Sequence, residues 1–508
     1  MPIVDGLQRS RNRNPDKVAI AFGGQSWTYA AFDEITDHIA GNLLAAGLEP
    51  GDRVVFHLLN GPEIALVGVG CLKAGCIAVP VNPRLKGPEI DYVLRHSGAA
   101  CYVGQPDLYA ETTKSCPAIS ALDLKYITGD TAVVRTRSLE ELFRSAGRPV
   151  SLPDVASHQI AAIFYTSGTT TRPKGVTHTH ETLTQTADAM RHMLLDENQV
   201  AVVMSSMAHL IGFGMLFLSG LLNGATIVIT RPFDFDSILE SYERRRATYV
   251  VGLPVMFRGL LQAQVETPHD VASGRFYFCG GDSVPPALQR AFQPVWGTIC
   301  EVYGMTEITP LSWNRPGRVR AGSIGQPGEG IEFRLVDTSG AEVKTGEVGE
   351  ICVRGAQLTT GYWQDPDATA EATRDGWFHT GDLATRDADD YYWFAGRKKD
   401  IIIRGGSNIS PREVEAALYE HPAVGEAAVV GRPDDVWGEA VVAYVALRPG
   451  QMVTEAGLIA FVRERLDDYK TPERIIFQTE LPKNPTGKIQ RRALRQTAHS
   501  MVSQLEPV

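Results

Sequence analysis

The sequence has no paired cysteines. Its seven (Cys71, Cys76, Cys101, Cys116, Cys279, Cys300, Cys352) are scattered, odd in number and free of CxxC spacing, which excludes a zinc ribbon and a disulfide-stapled scaffold and leads us to expect reduced thiols in the cytoplasm. No long Lys/Arg stripe is present either. With 49 basic against 59 acidic residues and a formal charge of -10, a nucleic-acid backbone is a poor candidate partner. Apolar runs of membrane-spanning length are missing, because Gly, Pro, His or a charge interrupts each one. The opening MPIVDGLQRSRNRNPDK has no apolar signal core, so neither an export signal nor a transmembrane helix is expected. No repeat period is evident.

What is present is ordinary soluble composition, 44% hydrophobic and 21% charged, enough to bury a large core. At 508 residues the chain exceeds what one core supports, so two or more domains are expected. From Val18 to Val81 short β-like runs alternate with helical ones: VAIAF, TYAAFDEITDHIAGNLLAAG, VVFHLL, PEIALVGVGCLKAG and CIAVPV. The pattern returns at ATIVITR, SILESYERR, TYVVGLP and RFYFCGG. Such alternation predicts an α/β protein with mainly parallel sheets flanked by helices.

After Gly396 the texture changes. Ser410-Pro411-Arg412-Glu413 predicts a helix start with a capping box, Ser capping, Pro at the first helical position and Glu closing the box. EAAVVGRPDD, the alternating VVAYVAL, a helical stretch near Leu458 to Leu466 and the basic PKNPTGKIQRRAL then predict a small α+β module. The boundaries expected are a large domain over 1–396, a hinge at 397–399 and a mobile domain over 400–508.

The buried-strand pattern Ile160-Ala-Ala-Ile-Phe-Tyr165 runs into Thr166-Ser167-Gly168-Thr169-Thr170-Thr171-Arg172-Pro173-Lys174. Hydroxyls, backbone N–H groups and one ammonium make a phosphate cradle. It is not a Walker loop, since Pro173 stands where the second Gly would be and Gly175 follows the Lys. Tyr303-Gly-Met-Thr306-Glu307, Thr380-Gly-Asp382, Gly396-Arg397-Lys-Lys-Asp400 and Pro485-Thr-Gly-Lys488 follow in order.

Taken together, these segments resemble the superfamily of acyl-CoA synthetases, nonribosomal-peptide adenylation domains and luciferases, closest in pattern to fatty-acid or aryl-acid CoA ligases such as 4-coumarate-CoA ligase. The resemblance implies an enzyme that adenylates a small carboxylic acid with ATP and Mg2+ and passes the acyl group to coenzyme A. Thr166, Ser167, Gly168, Thr169, Thr170 and Lys174 would grip the β- and γ-phosphates; Thr171, where the family often has Gly, is a departure. Tyr303 would stack on adenine, with Gly280-Gly281-Asp282 lining the other side. Thr306 would bond a phosphate oxygen and Glu307 would hold the magnesium ion. Asp382 would accept from both ribose hydroxyls, with Arg397 in the same region. Lys488 would reach the α-phosphate and carboxylate during adenylation.

By the same resemblance Lys399 falls at the hinge, Gly405 and Gly406 border the path of the pantetheine arm, and Met207 to Gly214 border the acyl pocket, with His209 gating or lining it. Tyr362-Trp363 and Trp437-Gly438 are read as packing residues. Acetate-specific relatives place Trp where this chain has Gly304. That glycine, with Gly212, Gly214, Gly280 and Gly281, predicts a deeper pocket walled by Met207, Phe213, Met305, Pro310 and Leu311, suited to an apolar fatty or aryl monocarboxylate. Alternatives are an enzyme loading a carrier protein, a stand-alone acyl-AMP ligase, a light-producing oxygenase and a non-catalytic acyl-nucleotide-binding protein. The oligomeric state stays open, a homodimer included.

Overall fold

A computed structural model describes every residue except 130–134, 146–150, 167–172, 283, 484–487 and 501–508, and only the backbone of Ser500. Backbone packing divides the chain into two units: Met1–Glu332 with Arg354–Thr373, and Phe333–Val353 with Arg374–Val508. The α/β class expected from the sequence is the one observed.

The first unit holds two large sheets. One runs, in spatial order, Gln326–Pro327, Ile308–Trp313, Ile299–Met305, Phe276–Gly280, Tyr249–Gly252, Val200–Val203, Thr226–Ile229, Val18–Phe22 and Gln25–Thr28. Its six central strands are parallel and its outer ones antiparallel. The other runs Gly361–Tyr362, Lys174–Thr179, Ile160–Thr166, Ile77–Pro80, Arg53–His57, Cys101–Gly104, Leu124–Ile127 and Arg137–Ser138. Central strands such as VAVV, YVVG and IAVP are apolar throughout because helices cover both faces of a parallel sheet.

One core packs helices Tyr29–Ala45 and Pro62–Lys73 with residues of both sheets. Two glycines let the second helix sit this deep. A Cβ on Gly68 would lie 2.6 Å from the Phe213 ring, and one on Gly70 would lie 2.4 Å from Ile39. Aromatic side chains, among them Tyr242, Phe257, Phe292 and Trp296, fill a second core.

In the second unit, Trp377–Arg386 pairs with Gly349–Arg354 and Tyr392–Arg397. A further sheet orders Ser407–Ile409, Ile402–Arg404, Gly438–Leu447 and Val424–Asp434, with Arg474–Phe477 parallel to Gly438–Leu447. VVAYVAL does not alternate in burial: Val441, Ala443 and Val445 pack in one core while Val442, Tyr444 and Ala446 pack in another with Leu494 and Ala498. The C-terminal helix Arg491–Ser500 supplies that second cover, which makes both faces of the strand interior.

The helix expected after Ser410 is Pro411–Tyr419, but the capping box is absent. Ser410 instead gives its hydroxyl to the Ala395 carbonyl, and Glu413 pairs with Lys470 at 2.7 Å. Both groups are spent on neighbouring segments, so the tertiary partner outcompetes the local cap. None of the seven cysteines forms a disulfide. Among the described residues, no helix is long and apolar enough to cross a membrane.

Candidate active site

Strands Ile160–Thr166 and Lys174–Thr179 pair antiparallel, with Thr166 opposite Lys174. Thr166 and Lys174, the residues that flank the hydroxyl-rich segment in the sequence, are thus held side by side at the ends of paired strands. Ser167, Gly168, Thr169, Thr170 and Thr171 lie outside the described residues. These strand ends are pinned from below. Tyr92 donates its hydroxyl to the Pro173 carbonyl at 3.0 Å, Tyr165 Oη lies 2.8 Å from His96 Nδ1, and Trp363 gives its backbone N–H to Gly175 at 2.7 Å and its indole N–H to the His96 carbonyl at 3.1 Å. Burial lowers the pKa of His96.

Thr306 and Glu307 form the tip between Ile299–Met305 and Ile308–Trp313. Glu307 is not a surface carboxylate, being only 9% exposed. Its Oε1 accepts the Tyr362 hydroxyl at 2.8 Å, and its carbonyl accepts the Thr359 N–H at 2.7 Å. Beneath the tip, the fully buried His178 places Nε2 2.8 Å from the Thr306 carbonyl. Burial holds the pKa of His178 down at about 4, so the ring is neutral and donates from Nε2. Lys174 Nζ stands 4.6 Å from the centroid of the Tyr362 ring, within cation–π range.

Tyr362 therefore touches both the candidate phosphate-binding lysine and the candidate metal-binding carboxylate. This corrects its reading as a packing residue, which fits Trp363 better. Local sequence gave no signal for it, since its partner Glu307 is 55 positions away. His178 was also missed; its one sequence cue is a titratable residue set in a strand that is otherwise buried.

Magnesium takes near-octahedral oxygen ligands and keeps several from water and substrate phosphates, so a single protein carboxylate suffices. Glu307 fits that demand. Among the described residues, no group of three or more His, Cys, Asp or Glu could hold a metal by itself.

Tyr303, 8% exposed, sits on the strand beside Phe276–Gly280, with Gly280 paired to Val302. The Gly280-Gly281-Asp282 segment is thus brought next to it, with Gly281 at φ +76°. Gly212, Gly214, Gly280 and Gly304 do not leave open space in the way the sequence suggests. A Cβ on Gly280 would meet the Val302 carbonyl at 2.2 Å, one on Gly212 the Ser206 carbonyl at 2.3 Å, one on Gly214 Leu210 at 2.5 Å, and one on Gly304 the Thr309 hydroxyl at 2.5 Å. Close approach of neighbouring chain requires them. Of the expected walls, Phe213 is spent in the core against Phe164 and Phe217, and Met207 and Leu311 are fully buried.

His209 lies two residues before a short π-helical stretch, Ile211–Leu218, a conformation found often at functional sites. Its Nε2 is 3.2 Å from Asn82 Nδ2. The loop is anchored by Asn60, which donates to the Ser205 and Thr230 carbonyls at 2.9 and 3.0 Å and accepts from Met207 N at 2.8 Å.

In the second unit Asp382 is 4% exposed and faces Arg397 across a strand pair. Thr380 shapes the bend before it, donating to the Ile351 carbonyl at 2.8 Å and accepting from Asp382 N at 3.1 Å. Lys399 lies in the 3-10 turn Lys398–Asp400, and its carbonyl accepts from Arg495 at 3.3 Å. The preceding Lys398 pairs with buried Glu350 at 3.0 Å. Gly405 and Gly406 make the two-residue turn between Ile402–Arg404 and Ser407–Ile409 at φ +57° and +81°, the conformation for which such hairpins select glycine. Lys488 is half-buried and precedes Ile489, which bridges to Lys483.

The family described as AMP-binding enzyme matches residues 7–363, and the one described as AMP-binding enzyme C-terminal domain matches residues 413–488. The chain belongs to the AMP-binding enzyme family. This AMP-binding enzyme is 36% identical over 485 residues to a feruloyl-CoA synthase of Amycolatopsis sp, an overlap covering 95% of this chain and 96% of that protein. It is 32% identical over 525 residues to the medium-chain fatty-acid–CoA ligase of Escherichia coli (strain K12), covering 97% and 90%. The solved structure of the anthranilate CoA ligase AuaEII in complex with anthranoyl-AMP matches at a TM-score of 0.92 and 30% identity, over 99% of this chain and 98% of that one. The protein is accordingly an AMP-forming acid–thiol ligase.

Proposed function

We propose that this AMP-binding enzyme joins an apolar aryl monocarboxylic acid to coenzyme A in two steps. In the first, a carboxylate oxygen of the acid attacks the α-phosphorus of ATP and the bond to pyrophosphate breaks. In the second, the thiol sulfur of CoA attacks the acyl carbon, the bond to AMP breaks and the thiol proton passes to water. The observation that carries this reading is the meeting of Lys174, which follows a hydroxyl-rich segment in the sequence, with the buried Glu307 carboxylate at one phenol.

Lys174 and Thr166 would hold the outer phosphates, and Thr306 would donate to a phosphate oxygen. Glu307 would hold Mg2+, which when bound supplies Lewis-acid neutralisation of phosphate charge. Tyr303 would stack on adenine beside Gly281, and Asp382 and Arg397 would take the ribose. Lys488 would offset charge at the α-phosphate in the first step, and Gly405 and Gly406 would border the thiol arm in the second. His209, held by Asn82, would line the acyl site. Residues 400–508 would turn about 397–399 between the steps. The scattered cysteines, without CxxC spacing, support work in the cytoplasm.

The aryl reading is supported by the names of two similar proteins, the feruloyl-CoA synthase and the anthranilate ligase. A second reading, a fatty acid, is supported by the name of the Escherichia coli relative. Thioester formation with coumarate, benzoate, octanoate and palmitate decides between them: a kcat/KM at least about tenfold higher for an aryl acid, the value of one or two well-placed contacts, upholds the first, and the reverse order upholds the second.

A further inference from the structure

Near the candidate site, Tyr362 ties two chemically different groups together, the Glu307 carboxylate and the Lys174 ammonium. We propose that Tyr362 is a positioning residue for the nucleotide step: its hydroxyl sets the rotation of the Glu307 carboxylate and its ring carries the Lys174 ammonium, so that one side chain fixes metal ligand and phosphate ligand relative to each other. The proposal rests on the reading of Glu307 and Lys174 as that pair.

Three observations carry it. The terminal torsion of a glutamate is soft, and a phenol donating to Oε1 at 2.8 Å selects one orientation of the carboxylate. The lysine 4.6 Å above the ring centroid comes from the strand with which the tyrosine itself pairs, Tyr362 opposite Val176 and Gly361 opposite Thr177. The segment just before the tyrosine is tied to both sides by Thr359, whose N–H bonds the Glu307 carbonyl at 2.7 Å and whose hydroxyl bonds the Thr177 carbonyl at 2.6 Å. The backbone of Tyr362 is thus held in register with the glutamate tip and the lysine strand alike. A residue that only packed would be served by phenylalanine, and a buried hydroxyl without an acceptor would be unfavourable.

The test separates hydroxyl from ring and uses binding rather than turnover. Full-length wild type, Tyr362→Phe, Tyr362→Leu, Glu307→Gln and Lys174→Ala are titrated with Mn2+ in the presence of a non-hydrolysable ATP analogue, reading free Mn2+ by electron paramagnetic resonance, and with the analogue alone by calorimetry. Tyr362→Phe should weaken Mn2+ binding about tenfold, the usual effect of losing a group that orients a metal ligand, and leave metal-free analogue binding unchanged. Tyr362→Leu should also weaken the metal-free analogue, in the same direction as Lys174→Ala. If Glu307→Gln weakens Mn2+ binding while Tyr362→Phe does not, the proposal is overturned and the site reading stands. If Glu307→Gln leaves Mn2+ binding unchanged, both fail. Should Tyr362→Leu not fold, Tyr362→Phe alone decides, because it keeps the ring.

Discussion

Arg397 Nε lies 3.2 Å from Asp382 Oδ1, one residue at the end of Tyr392–Arg397 and the other within Trp377–Arg386, directly opposite in the strand register. Asp382 is buried and Arg397 half-exposed, so the guanidinium holds the carboxylate in one orientation. Replacing Asp382 by Ala should weaken binding of an ATP analogue about 10- to 100-fold, the value of hydrogen bonds to a charged group. Calorimetric titration checks this, and an unchanged dissociation constant would remove Asp382 from the nucleotide site.

Lys488→Ala should slow acyl-adenylate formation by about 100-fold or more, as loss of one charge-stabilising donor does. Transfer from supplied acyl-adenylate to CoA should stay near the wild-type rate. Rapid-quench measurement of the two half-reactions separates these effects; equal losses in both would contradict the assignment.

Gly406 offers a cleaner probe of the second step. A Cβ there meets nothing within 4 Å, although φ is +81°, so Gly406→Ala and Gly406→Leu share the same backbone strain and differ in bulk. Thioester formation should fall about 10- to 100-fold further in the Leu variant than in the Ala variant, the scale of a misplaced reactant, with pyrophosphate release little changed between them. Similar thioester rates in the two variants would count against a thiol path along this turn.

The strands and helices of the first unit were legible because β-branched runs and helical periodicity dominate there. The strand Ile160–Thr166 was also legible, as an apolar run ending at a cluster of hydroxyl residues. Roles that depend on distant partners were not. Tyr362 looks like any aromatic in a buried strand until Glu307 is placed at its hydroxyl. The glycines at 212, 280 and 304 suggest space in a sequence and prove to be points of contact, because a missing side chain does not reveal what fills its volume. Ser410 carries a sound local cap signal that the Ala395 carbonyl overrides.

Gly304 accordingly behaves as a packing position. Gly304→Ala should destabilise the protein by about 1–3 kcal/mol, the penalty for overpacking, since the new Cβ would stand 2.5 Å from the Thr309 hydroxyl. Thr309→Ala in that background should recover part of the loss, giving a coupling that a double-mutant cycle of melting free energies measures. Strict additivity would show that the two side chains do not compete.

Acid should unfold the protein through its buried histidines. Burial lowers His57, His178 and His180 from the ordinary 6.5 to about 4, and both ring nitrogens of His180 lack a partner among the described residues. The unfolded chain therefore binds more protons between these values, so stability is full above about pH 6.5 and falls toward pH 4. The loss is on the order of 3 kcal/mol for each histidine. Melting temperatures across that range should drop steeply, and His178→Asn should flatten the slope. A flat profile would mean that the rings are charged or exposed.

The most direct test of the account is a product assay with purified protein, ATP and Mg2+ against a panel of aryl and fatty acids, with and without CoA, following pyrophosphate, AMP and thioester together. The account predicts acid-dependent pyrophosphate release and, only when CoA is added, stoichiometric AMP and acyl-CoA. Acid-dependent pyrophosphate release that yields no thioester in the presence of CoA would contradict it.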